Sequence, residues 1–147
     1  MKKLLGLFYI FLAIALVGCA ATVTPTPTPL NSKDPIVVYH RSGGFAGFDE
    51  TWSIFMDGRV QYSGRGAGSS GQLTPDRVNG LLATLRSIDL ASIKESYIGA
   101  NTCCDRFIYE VTIKLDGKTK SITTIDAADG EPAALTTLLN AIKAAAQ

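Results

Sequence analysis

Phe107-Ile108-Tyr109-Glu110-Val111-Thr112-Ile113-Lys114-Leu115, then Asp116-Gly117, then Lys118 to Ile125, decides the fold. Apolar residues occupy every second position from Phe107 to Leu115. That period places them on one side of an extended strand over Arg106 to Leu115. Asp-Gly is a tight hairpin turn, so Lys118 to Ile125 returns as the antiparallel partner. A second unit of this kind lies upstream. Thr51 to Met56 alternates with Trp52, Ile54 and Met56 on one side, which marks the Trp face as the core face. Asp57-Gly58 is read as a two-residue turn, and Arg59 to Tyr62 as the next strand. Ile36 to Arg41, rich in β-branched residues, supplies a first strand.

Two helices complete the pattern. Thr74-Pro75-Asp76 places a capping hydroxyl, a proline at the first helical position and an acid near the positive end of the dipole. Val78, Leu81, Leu82, Leu85 and Ile88 then recur at helical spacing. Glu131-Pro132 opens a last helix with Leu135, Leu138, Leu139 and Ile142 as its apolar stripe. The expected class is α+β, in the order β-β-β-α-β-β-α, with an antiparallel sheet carrying both helices on one face. The other face is expected to be at least partly exposed, with Glu110, Thr112 and Lys114 on one strand and Lys118, Lys120 and Thr124 on its partner.

The N-terminal segment carries an address. Lys2 and Lys3 precede an uncharged run from Leu4 to Val17, shorter than the roughly 20 residues of a membrane-spanning helix. Leu16-Val17-Gly18-Cys19 follows and resembles the bacterial lipoprotein lipobox. The resemblance implies that residues 1–18 are a signal peptide and that Cys19 is acylated. The protein would then be held on the outer side of a bacterial membrane, stably if more than one chain is attached. Residues 19–33 include Thr24-Pro25-Thr26-Pro27-Thr28-Pro29, which cannot be helical and reads as an extended tether. Residues 34–147 make one domain of ordinary size.

Charge narrows the partners. Lys and Arg total 14, against 13 Asp and Glu. Losing Lys2 and Lys3 with the signal leaves the mature chain near neutral, so no nucleic acid is expected. Besides Cys19 the chain has the adjacent pair Cys103-Cys104. Their Cα atoms lie about 3.8 Å apart, below the usual disulfide range of about 4.4–6.8 Å. A strained vicinal disulfide is the expectation outside the cytoplasm, with two free thiols as the alternative. Adjacent sulfurs lack zinc spacing and the chain has one histidine, so no metal is expected.

Enzyme signatures are sparse, and no catalytic residue is assigned. His40 is read as a strand-end residue that tunes nothing, with no nucleophile elbow in the chain. Gly66-Ala67-Gly68-Ser69-Ser70-Gly71 fits a dinucleotide fingerprint in letters only, because hairpins replace the required βαβ unit. It is read as part of a flexible loop from Gly64 to Gly71, with no nucleotide or other cofactor. Asp49 and Glu50 are neighbours on a strand and point to opposite faces.

Arg41-Ser42-Gly43-Gly44-Phe45-Ala46-Gly47-Phe48 stands apart. Three glycines and two aromatics join the first two strands. Phe45 and Phe48 either fold back to plug the core or present an apolar anchor to a partner. This segment, with Trp52, resembles the emfourin family, proteinaceous inhibitors of thermolysin-like metalloproteases. Asp105-Arg106-Phe107-x-Tyr109-x-Val111 and the closing apolar helix carry a second, weaker likeness, and the whole spans about Ile36 to Ile142. The resemblance implies a compact α+β domain and inhibition of a metalloprotease without catalysis, with Ser42, Gly43, Gly44, Phe45, Ala46, Gly47 and Phe48 as the partner-binding residues. The lipobox, the Thr-Pro tether, the glycine loop and Cys103-Cys104 depart from that family's pattern. A surface lipoprotein with another ligand or a structural role is the alternative function, and a redox module using Cys103 and Cys104 is a third.

Overall fold

The computed structural model describes residues 33–99 and 105–147. The signal segment, Cys19, nearly all of the tether and Cys103-Cys104 lie outside the described residues.

Six strands form one antiparallel sheet in the order β4-β3-β2-β1-β5-β6. They are β1 Pro35–Gly43, β2 Phe48–Phe55, β3 Arg59–Arg65, β4 Gly71–Gln72, β5 Phe107–Leu115 and β6 Lys118–Ile125. Helix α1 spans Pro75–Ser87 and α2 spans Ala133–Ala146. The α+β class and the order of its elements hold. The sheet gains the short β4, and β1 to β3 run longer than the alternation suggested. Strand β1 is central, paired along its length with β2 on one side and β5 on the other.

Cross-strand register explains the core. Val37 faces Ile54 and Ile113, Tyr39 faces Trp52 and Val111, and Ile122 faces Val111. All point to the same side because side chains alternate. There they join Leu81, Leu85, Leu135, Leu138 and Ile142 in one buried cluster. The two helices touch each other across this face. Thr74 caps α1 as expected, its hydroxyl accepting from the Arg77 amide at 3.4 Å. A bulge at Ile36 lets both Ile36 and Val37 be buried.

Two turn assignments need correction or refinement. Asp116 and Gly117 both take positive φ (49° and 75°), the conformation of a two-residue turn that matches strand twist. Leu115 therefore pairs directly with Lys118, Ile113 with Lys120 and Tyr109 with Thr124. Lys118, Lys120 and Thr124 thus belong to the helix side, and Thr124 is buried. The open face of β6 carries Thr119, Ser121 and Thr123, opposite Lys114, Thr112 and Glu110. The Asp57-Gly58 connection holds three residues, 56–58, with only Gly58 at positive φ. The Gly58 amide closes that turn on the Phe55 carbonyl at 3.0 Å.

The sheet edges are protected. Ser70 accepts the Tyr62 amide through its hydroxyl where β4 has ended. On β6, Thr123 exchanges backbone hydrogen bonds with Glu95 and Tyr97. Unpaired edge groups would otherwise template association.

Leu138→Ala would remove a fully buried side chain where α2 meets the sheet. The expected loss is about 2–5 kcal/mol, read as a lowered urea midpoint with unchanged slope.

Candidate functional site

Strands β1 and β2 close on each other at Gly43 and Phe48. Gly43, Gly44 and Gly47 between them take φ of 98°, 69° and 60°. A Cβ at Gly43 would sit 2.5 Å from the Arg106 carbonyl, and one at Gly44 would sit 2.7 Å from the Phe107 ring. The Gly44 amide donates to that same carbonyl at 3.2 Å, and the Gly47 amide closes the turn on the Gly44 carbonyl at 3.0 Å. The loop is therefore tied to β5 at its base. It holds no side chain there that could loosen the contact.

The two phenylalanines part company at this loop. Phe48 folds back onto Phe107, with ring centroids 5.7 Å apart. Phe45 stands at the apex, 93% exposed. The ring of Phe48 is half-buried and that of Phe45 is exposed, so the two do not act together as a plug. Ser42 lies on the opposite face of β1 from Arg41, in register with Asp49, and Ala46 is exposed beside Phe45.

Beneath the loop, on the helix side, Arg41 bonds Glu50 through Nε (2.9 Å) and Nη2. Glu50 is wholly buried, and its other oxygen accepts from the Tyr62 hydroxyl at 3.2 Å. The guanidinium lies 4.9 Å from the Phe107 ring centre, 5.4 Å from Phe48 and 5.7 Å from Trp52. Flat aromatic faces attract such a cation and exclude water from the pair. Asp126 supports Phe107 from behind, accepting its amide at 3.0 Å and the Tyr109 hydroxyl at 2.6 Å.

Next to this pair is a cleft of about 320 Å³, bounded by Tyr39, Arg41, Trp52, Tyr109, Gly68 and Lys143. Burial pushes the Tyr39 hydroxyl up to about 12, and burial with the Asp126 hydrogen bond raises Tyr109 as well. Both phenols stay protonated at neutral pH. Gly66 and Gly68 belong to the segment expected to be a free loop. A Cβ at Gly66 would fall 1.9 Å from Glu50 Oε1, and one at Gly68 would meet the Tyr62 and Trp52 rings at 2.3 and 2.7 Å. These glycines let the backbone lie flat over the site. Gly64 and Gly71 lie within β3 and β4. A larger hollow of about 520 Å³, at the other end of the sheet between Ile88, Leu90 and Lys118, holds no unpartnered buried polar atom among the described residues.

His40 occupies the opposite, open face and lies inside β1 rather than at its end, bonded on both sides. Nε2 meets Asp49 at 2.8 Å and Nδ1 meets Glu110 at 2.7 Å. The Asp49 hydrogen bond is the main reason its pKa stands above the usual 6.5; partial burial opposes this and Glu110 adds to it. Both ring nitrogens are engaged, so neither is free to act as a base in this arrangement. Asp49 and Glu50 do diverge as alternation requires, one to each face.

The Arg41–Glu50 pair was missed in the sequence, although both residues fall at core-face positions. An acid in phase with Trp52 and Ile54, and an arginine in phase with Val37 and Tyr39, was the available signal. Among the described residues no cluster of His, Cys, Asp or Glu could hold a metal ion, and no helix is long and apolar enough to cross a membrane.

Two stability tests follow from this geometry. Glu50→Ala strands the Arg41 charge and is expected to cost about 3 kcal/mol, the low end for a buried pair because Arg41 is 27% exposed. The double variant Arg41→Met with Glu50→Leu is expected to recover most of that loss in urea unfolding. For His40, a raised folded pKa means its contribution is complete below the unfolded value of 6.5 and is lost as pH rises through the folded value. His40→Gln is therefore expected to differ from wild type most at about pH 5.5 and to converge with it at about pH 9.

Comparison with known proteins adds one match. A family model described as a domain of unknown function, DUF6438, covers residues 49–146. No curated protein matches the chain. The matched stretch runs from the start of β2 to the end of α2, and so contains Glu50, Trp52, Gly68 and Lys143 and begins just past the Phe45 loop. The chain belongs to the DUF6438 family.

Proposed function

We propose that this domain is a protein-binding module, lipid-anchored through Cys19 on the outer side of a bacterial membrane, that inhibits a thermolysin-like metalloprotease through its β1–β2 loop. The observation that carries this is Phe45, 93% exposed at the tip of a loop pinned to β5. A large ring carried on a backbone already tied down at its base costs little further backbone freedom on binding, so much of its burial in a partner's apolar pocket is retained as affinity. Gly43, Gly44 and Gly47 keep the loop narrow enough to enter a cleft. Ser42 and Phe48 flank it on the strands, and Ala46 adds no bulk beside Phe45. The resemblance of Arg41 to Phe48 to the emfourin pattern supplies the kind of target.

A second reading, a surface lipoprotein that binds another ligand, is favoured by the cleft beside Trp52, whose lining apart from Tyr39, Arg41 and Gln147 falls within the family match, whereas the loop precedes it.

Phe45→Ala is expected to weaken inhibition of a thermolysin-like protease by about 30-fold or more, equivalent to about 2 kcal/mol. Its melting temperature is expected to stay within a degree or two of wild type, because the ring touches water rather than core. Equal inhibition by wild type and variant would remove the loop from the mechanism. No inhibition by wild type, across several such proteases, would leave the second reading.

A further inference from the structure

The cleft beneath the loop has more hydrogen-bond donors than its own residues use. Trp52 is buried, and its indole Nε1–H has no hydrogen-bond partner among the described residues. A buried donor left unpaired is costly, and such orphans in folded proteins call for an explanation. Arg41 uses Nε and Nη2 on Glu50, and no bond to Nη1 is present among the described residues. Lys143 makes no hydrogen bond or ion pair there; its ammonium rests 4.0 Å from the Tyr109 ring centre. Among the cleft's side chains, two cations stand against one carboxylate, and that carboxylate already accepts from both Arg41 and Tyr62.

The walls are planar. Tyr39 stacks on Trp52 at 5.4 Å and on Tyr109 at 6.1 Å, with interplanar angles of 28° and 12°. The three rings stack on one another and form one aromatic wall, and the space of about 320 Å³ beside it has room for a flat body of one ring or a short unsaturated chain. We propose that this cleft binds a small planar carboxylate, its anion received by the Trp52 indole N–H, Arg41 and Lys143.

Two features bear on entry and charge. A Cβ at Gly68 would fall 2.7 Å from Trp52 Cζ2, the carbon next to the one that carries Nε1, so only glycine there leaves the border of the indole donor clear. Ala146 and Gln147 bring the carbonyl end of α2 to the rim, which disfavours an anion. Arg77 offsets this by donating Nη2 to the Ala144 carbonyl. Direct charge-assisted hydrogen bonds outweigh what remains of the dipole.

Trp52 is the one tryptophan of the chain, so a single indole N–H resonance and the whole tryptophan fluorescence report on this site. The test titrates the full chain with benzoate, and separately with benzamide and benzylamine. Saturable fluorescence change with benzoate, together with a downfield shift of the indole proton, is the expected result. Benzamide and benzylamine are expected to leave both signals in place. Lys143→Met, in α2's last turn, is expected to weaken benzoate about tenfold while the free protein's indole resonance stays put. An indole proton unmoved at high benzoate, or an equal response to benzylamine, would overturn the proposal. These outcomes do not depend on protease inhibition.

Discussion

The burial of one carboxylate constrains the upper half of this domain. Glu50 sits on the core side of β2 with no exposure, where an unpaired charge could not be kept. Its partner has to come from the neighbouring strand at the same level, and the β1–β2 register provides Arg41 directly opposite. The guanidinium in turn needs a dry, flat environment, which Phe48, Phe107 and Trp52 supply. The carboxylate also needs space above it, and Gly66 supplies that by having no side chain. Loop base, aromatic wall and glycine cover are all consequences of one ion pair. Such pairs add less to net stability than their contacts suggest, because desolvation offsets attraction. Their structural effect here is to hold β1 and β2 in one register at the point where they leave the core.

The two faces of the sheet use charge differently. On the helix side, Arg41 and Glu50 are shielded and their pairing is insensitive to salt. On the open face, His40 joins Asp49 on β2 to Glu110 on β5 across the strand between them. That link is exposed to solvent and responds to pH. The adjacent residues His40 and Arg41 of β1 thus contribute one to each network, and the strand is fastened sideways on both faces at nearly the same height.

Most of the scaffold was legible in the chain. The perfect alternation from Phe107 to Leu115, the Asp116-Gly117 turn and the two leucine-rich stripes each demand one local structure, so β5, β6, α1 and α2 emerge where the pattern places them. The face of Lys118, Lys120 and Thr124 was misjudged because polarity was allowed to overrule turn geometry. In a two-residue hairpin the residues flanking the turn share a face, whatever their charge. The extent of β3 and the existence of β4 were hidden by glycines at positions 64 to 71, which read locally as a flexible loop. Only the three-dimensional neighbourhood shows that those glycines are demanded by Glu50, Tyr62 and Trp52. Phe45 and Phe48 were indistinguishable in sequence, because positive φ at Gly44 and Gly47 decides which ring turns outward. His40 likewise lacks a local signature, since its partners come from two other strands.

Strand β1 enters the described structure at Pro35 and delivers the chain straight to the Phe45 loop. Its length is about 30 Å at 3.3 Å per residue. A pull applied between the N-terminal side of the domain and an object gripping the loop would therefore run along a single covalent strand. The ladders to β2 and β5 would be loaded neither by peeling nor by shear. Tension applied between Pro35 and the loop would bypass the hydrophobic core, leaving the helices and the outer strands slack.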